Sequence, residues 1–218
     1  MIKNKNKQFA VIGLGRFGRA VTKTLVDNGC DVLCCDKDMS LIKQMEPVVT
    51  KAMQIDVMQE NALDALGLNN FDVVIVAIGD SLESSVMATM YAKEAGVKTV
   101  IVKAQNISEK KILEKIGADK VVMPEMDSGS RLAINLITTN VIEYISFSEK
   151  YAMAEITPLK EWENKTLAEA NIRAAYGFNV VAIKENNEVI VSPVADTLIK
   201  AGQILVIIGE NKQIQKYS

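Results

Sequence analysis

Three glycines at G-x-G-x-x-G spacing, Gly13, Gly15 and Gly18, lie in the stretch FAVIGLGRFGRAV, between an apolar run and a helix-like segment. In that context the first glycine permits a tight turn, the second lets the main chain approach a pyrophosphate, and the third lets a helix pack closely on a strand. The unpaired N–H groups that open the helix then attract phosphate. Leu14, Arg16 and Phe17 fill the same loop. Asp36 follows Gly18 by 18 residues, at the end of the next apolar run, and Lys37 comes directly after it. A carboxylate at that place accepts hydrogen bonds from ribose hydroxyls. It also disfavours a 2′-phosphate such as that of NADP. Arg16 is a cation in the first turn of a helix, which costs about a few tenths of a kcal/mol against the macrodipole unless an anion compensates. A bound phosphate, especially the terminal one of a triphosphate, compensates and gains charge-assisted hydrogen bonds. The alternative is an arginine turned to solvent.

The elements that must position these residues alternate through the first 125 residues. Strands are expected at Gln8–Ile12, Asp31–Cys35, Thr50–Gln54, Val73–Ile78, Lys98–Lys103 and Lys120–Met123. Helices are expected at Arg16–Asn28, from Ser40 to Met45, at Asn61–Leu66, Ser81–Ala95 and Ser108–Ile116, with Gly29 and Gly96 as stops. The unbroken apolar run Val73–Ile78 suits a central parallel strand buried on both faces. Six strands with intervening helices and a glycine loop after the first describe an α/β, Rossmann-like, doubly wound parallel sheet. Ligands of such sheets bind at the carboxyl ends of the strands. That rule adds Asp56 and Val57 on the adenine side, Ala77, Ile78 and Gly79 after strand four, Lys103 after strand five and Glu125 after strand six. Glu125 beside phosphates repels them unless it is protonated or bridged by a cation, which makes it the place for Mg²⁺ or Ca²⁺.

The rhythm then changes. Asp127–Ile145 reads as one longer helix with Leu132, Leu136 and Ile137 on one side. Tyr151–Ile156, Val180–Ile183, Val189–Val191 and Ile204–Ile208 read as short strands and Thr166–Ala170 as a short helix, without helical crossovers. This is the pattern of a small α+β unit. The expected division is a nucleotide-binding domain over 1–126, a crossover helix over 127–147 and a second domain over 148–218.

Composition narrows the chemistry. With 218 residues, 49% of them apolar, and a net charge of −2, the chain suits a soluble globular protein with no electrostatic bias toward nucleic acid. Lys3, Lys5 and Lys7 precede no long apolar segment, so no signal peptide is expected. The apolar runs are far shorter than the ~20 residues of a membrane span. Cys30, Cys34 and Cys35 form no C-x-x-C pair, and neighbours 34 and 35 point to opposite faces of a strand. Reduced, packed thiols are expected. The absence of histidine removes the commonest general base and metal ligand. No nucleophile–base pair or Walker lysine stands out. The glycine motif alone is still compatible with an NAD-dependent oxidoreductase, or with a nucleotide-binding scaffold or transcription-linked sensor.

The segments FAVIGLGRFGRAV, CCDKD, DVVIVAIGD, IVKAQN and EKIGADKVVMPE resemble the nucleotide-binding half of the RCK (regulator of conductance of potassium) proteins of the Ktr/Trk type. The stretch from Lys165 to Glu210 resembles that family's second module, TrkA-C or RCK-C. The resemblance implies a non-enzymatic cytoplasmic subunit, dimeric and assembling into an octameric ring, on the inner face of a KtrB/TrkH-like potassium-translocating membrane protein. It implies ATP or ADP in the cleft, with NAD(H) as a further cofactor such clefts accept. The family's loop glycines, ribose aspartate and terminal-phosphate arginine match Gly13, Gly15, Gly18, Asp36 and Arg16; Lys103 matches a cleft-lining position. The family's cation-associated carboxylate matches Glu125 in MPEMDSG. In the second module the resemblance implies cyclic di-AMP at Leu167, Ala168, Asn171, Arg173 and Pro193. A histidine that some relatives carry after the strand matching Val180–Ile183 is replaced here by KENNEV. NIRAAYG also reads as an ordinary helix end with a glycine stop.

Overall fold

The computed structural model describes residues 7–59, 62–137, 141–148, 150–186 and 188–216, which fall into two units divided after Met126. In the first, β1 (Gln8–Ile12), α1 (Arg16–Asp27), β2 (Asp31–Asp36), α2 (Met39–Met45), β3 (Lys51–Gln54), β4 (Val73–Val76), α3 (Leu82–Glu94), β5 (Thr99–Lys103), α4 (Ile107–Ile116) and β6 (Lys120–Val122) follow in order. The six strands form a sheet in the order β3-β2-β1-β4-β5-β6, parallel at every pairing. This is the expected doubly wound sheet.

Alternation along the strands sorts side chains onto two apolar layers. Ala10, Ile12, Cys35, Val74, Val76, Val100 and Val102 pack with Ala88, Ala92 and Leu113 of α3 and α4. Val11, Val32, Cys34, Val73 and Ile75 pack on the other face with Ile42 and Met45 of α2. All four residues of β4 are buried, as a strand covered on both faces requires. Cys34 and Cys35 indeed face opposite layers.

Between β3 and β4 the expected helix Asn61–Leu66 does not form as such. Asn61 lies outside the described residues, and Asp64–Leu66 is a single 3-10 turn ended by Gly67 in the left-handed region (φ +58°), followed by a second at Leu68–Asn70. Leu63, Leu66 and Leu68 are nonetheless buried, so the apolar spacing reports burial and not helix length.

The second unit holds an antiparallel sheet of β7 (Val141–Ser146), β8 (Tyr151–Ile156), β9 (Asn179–Glu185), β10 (Glu188–Val191) and β11 (Ile204–Glu210), ordered β10-β9-β11-β8-β7. Short helices α6 (Leu167–Ala170), α7 (Ile172–Tyr176) and α8 (Asn211–Lys216) accompany it. Trp162 and Phe178 are its largest buried side chains, and Trp162 meets Tyr176 edge to face at 5.0 Å.

The expected single helix over 127–145 does not form. Helix α5 runs Pro124–Ile137, and Val141–Ser146 is a strand. The pairing of β7 with β8 shifts register between Val141 and Glu143. This irregularity turns Val141 and Tyr144 both inward. Buried residues three apart imitate a helical period. The β-branched and aromatic content favours the strand.

Candidate functional site

The glycine loop links β1 to α1. Gly13 has φ +98°, and a Cβ there would lie 2.9 Å from the carbonyl carbon of Ala77 and the nitrogen of Ile78. A Cβ on Gly18 would come 1.9 Å from the carbonyl oxygen of Gly13. These two glycines are therefore demanded by the fold itself. Gly15 differs, because a Cβ on it meets nothing within 4 Å. It is the N-cap of α1, has no side chain to offer, and no acidic residue occupies the first turn. By contrast Asp38, Ser81 and Asn106 cap α2, α3 and α4 with side-chain oxygens. The opening N–H groups of α1 thus lack the side-chain acceptor that each of those helices has.

Asp36, at the end of β2, is tied to this loop. One carboxylate oxygen accepts from the N–H of Leu14 at 2.6 Å and the other from the N–H of Asp38 at 2.9 Å. The N–H of Gly13 donates to the carbonyl of Cys35 at 2.8 Å. Loop and β2–α2 turn are thus held as one piece beside a cleft of about 460 Å³.

Of the residues expected from sequence, Gly13, Gly15, Arg16, Phe17, Asp36, Lys37, Asp56, Val57, Ala77, Ile78, Gly79, Lys103 and Glu125 line this cleft. Leu14 and Gly18 stand behind the wall. The Leu14 side chain is fully buried in the layer under α1 and α2, leaving only its main chain near the cleft, and Gly18 is consumed in the contact of α1 with the loop. Ile12, Asp38, Leu41, Ile55, Asp80 and Ser84 also line it and were not expected. The strand-end rule could have found Ile55 and Asp80. Leu41 and Ser84 enter from the first turns of α2 and α3, which strand ends alone do not indicate.

The charges are already partly matched. Lys103 Nζ meets Glu125 Oε1 at 2.7 Å, with Lys103 13% and Glu125 70% exposed. The lysine ammonium holds the Glu125 carboxyl below the usual range. Lys37 Nζ meets Asp80 Oδ2 at 2.9 Å, which lowers the Asp80 carboxyl and raises the Lys37 ammonium. Arg16, exposed in the uncapped turn of α1, has no carboxylate partner among the described residues. Among those residues no three His, Cys, Asp or Glu side chains group closely enough to hold a metal ion. A cation at Glu125 would thus need other oxygens, which phosphates supply. Burial pushes the Cys34 thiol up to about 11, helped by the Asp36 charge, and raises Cys35 still further. Both are inert packing thiols.

In the second unit, Thr166 and Glu169 form a capping box at α6. The N–H groups of Leu167 and Ala168 donate to the carbonyls of Thr197 and Ala195. Asn171 turns the chain from α6 into α7 with φ +46°. Ala168, Asn171 and Arg173 are exposed, Leu167 and Pro193 half-buried. These hydrogen bonds join the start of α6 to Ala195 and Thr197, shortly after Pro193, while Asn171 and Arg173 follow at the α6–α7 junction and on α7.

The TrkA-N domain family matches residues 9–124 and the TrkA-C domain family residues 151–218. The chain is 43% identical over 211 residues to Ktr system potassium uptake protein C of Bacillus subtilis (strain 168), covering 97% of this chain and 96% of that protein. It is 39% identical over 213 residues to Ktr system potassium uptake protein A of the same organism, covering 98% and 96%. The solved structure of the GsuK channel bound to NAD is similar with a TM-score of 0.54 and 20% identity, over 97% of this chain and 38% of that one, a likeness of fold. Matched by both domain families in order, and by Ktr proteins along nearly its whole length, the chain belongs to the TrkA-N/TrkA-C family, together with the Ktr potassium uptake proteins.

Proposed function

We propose that this chain is a nucleotide-sensing regulatory subunit, and not an enzyme, acting on a membrane potassium transporter of the Ktr/Trk type. The likeness to Ktr potassium uptake proteins supports the setting. No described helix is long and apolar enough to cross a membrane, so ion passage would fall to a partner, with this chain docked on its cytoplasmic face as a homo-oligomeric ring. The observation that carries the nucleotide reading is the state of the cleft cations. Lys37 and Lys103 are spent on Asp80 and Glu125, whereas Arg16, with no carboxylate partner among the described residues, stands at a helix start lined with open N–H groups.

In this reading the diphosphate of ATP or ADP lies against Gly15, its ribose meets Asp36, and its base lies toward Asp56 and Val57. Arg16 takes the terminal phosphate. Glu125 would hold a divalent cation, Mg²⁺ or Ca²⁺, whose charge offsets the phosphate oxygens completing its shell. ATP and ADP differ by one phosphate, so the protein distinguishes them only through groups that touch it. Cyclic di-AMP would be taken at the α6–α7 surface of the second unit.

Titration calorimetry with ATP, ADP, NAD, NADH and cyclic di-AMP tests the assignment, with mass measurement of the oligomer. Arg16→Ala is expected to weaken ATP about tenfold, the scale of one charge-assisted hydrogen bond, and ADP much less. Equal losses for both nucleotides refute the role given to Arg16. Tight NADH binding with no response to ATP would replace an energy sensor by a redox sensor.

A further inference from the structure

The Lys37–Asp80 ion pair has a place in the topology that its two residues do not reveal. Lys37 leaves the end of β2 and Asp80 follows β4, and these strands are not neighbours, because β1 lies between them. The 2.9 Å contact therefore passes over the end of β1, across the cleft whose wall both residues form. The Lys37 main chain is held in addition, its carbonyl accepting from Nε2 of Gln54 at 3.1 Å. Asp36, Asp38, Asp56 and Asp80 line the cleft together with Lys37. Asp36 and Asp38 are engaged by main-chain N–H groups, as is Asp56 by the N–H of Met58. Asp80 is the carboxylate that takes the lysine.

We propose that Asp80 is a specificity-determining residue: by holding the Lys37 ammonium across the cleft, it denies a 2′-phosphate its counter-charge and restricts the site to nucleotides with a free ribose 2′-hydroxyl. The inference rests on the reading that ribose meets Asp36. A ribose there brings its 2′ oxygen to the β2–α2 turn, where Lys37 is the next residue along the chain. An unpaired lysine at that position would receive a 2′-phosphate and offset its repulsion by Asp36, so Asp36 excludes that group fully only while the lysine is occupied. The pairing is exposed, with side chains 60% and 66% accessible, so the effect is of modest size and falls with salt.

The test compares AMP with adenosine 2′,5′-bisphosphate, which differ by the 2′-phosphate alone, by titration calorimetry at low ionic strength, with ADP as the positive control. The preference for AMP is expected to shrink about fivefold in Asp80→Asn, the upper range for one exposed charge pair. It should return in the Asp80→Asn/Lys37→Met double variant. A preference unchanged in Asp80→Asn, in protein whose melting is cooperative, overturns the proposal. So does a gain that survives in the double variant, since the lysine would then have no part in it. Failure of the wild-type chain to bind ADP or AMP at all is a different result, and it removes the nucleotide reading and this inference together.

Discussion

Adding one methyl group at Gly15 and one at Gly18 should separate what the fold needs from what the ligand needs. The Gly18→Ala methyl would overlap the Gly13 carbonyl oxygen, only 1.9 Å away, and that oxygen belongs to main chain. Restoring a contact of about 3.2 Å means moving α1 or the loop by more than an ångström, a forced rearrangement worth about 3 kcal/mol or more. The Gly15→Ala methyl meets nothing within 4 Å, and φ −59° is open to any residue. Its cost in the ligand-free protein is the difference between glycine and alanine as a helix N-cap, about 0.5–1 kcal/mol. In the cleft the same methyl occupies the surface against which a diphosphate would lie. ADP binding should fall at least tenfold, about 1.4 kcal/mol. Urea unfolding of the free variants measures the first pair of quantities and calorimetric titration the second. Gly15→Ala binding ADP with wild-type affinity, in protein of near-wild-type stability, would refute the placement of phosphate at this loop.

Three further outcomes follow from the geometry. Asp36→Ala leaves the N–H of Leu14 without its acceptor, so urea unfolding should show a loss of about 1–3 kcal/mol before any ligand is added, alongside weaker binding of every adenosine ligand. Wild-type stability in that variant would mean the loop holds its shape alone. Asp119 accepts from the N–H of Val100 at 2.7 Å and pairs with Lys93, and these contacts hold its carboxyl below the ordinary carboxylate range, the main-chain bond most of all. A lowered folded-state pKa gives stability that is present above the ordinary aspartate value and lost as pH falls through the lowered one. Unfolding midpoints between pH 6 and pH 3 should thus decline less steeply in Asp119→Asn than in wild type, and parallel declines would count against the contact. Thiol labelling at pH 8 should modify partly exposed Cys30 in the native protein and reach Cys34 and Cys35 only on unfolding. Rapid labelling of all three would contradict their burial.

Much of the first unit was legible because its signals are local. An apolar run of four to six residues, a glycine after it and a capping residue before the next helix each depend on neighbours in sequence. The strands at Gln8–Ile12 and Tyr151–Ile156 fall where patterning places them. Illegible features depend on contacts between distant segments. Residues 141–145 read as a continuation of the helix carrying Leu132, Leu136 and Ile137, whereas pairing with β8, a contact between segments, makes them a strand. Leu14 read as a cleft residue because nothing local says that its side chain turns into the layer shared with β2 and α2.

The cleft divides along the same line. Residue types and spacing by themselves determined a glycine loop after the first strand, a carboxylate at the end of the second, and a set of polar strand ends, since each follows from chain geometry within one βα unit. Only the tertiary structure decided which charges meet. Lys37 and Asp80 are 43 residues apart and Lys103 and Glu125 are 22 apart, and the order β3-β2-β1-β4-β5-β6 brings each pair to one rim. Coulombic pairing acts through space over a few ångströms, so the folded sheet, and no pattern along the chain, settles that two cleft lysines are occupied and that Arg16 has no carboxylate partner among the described residues.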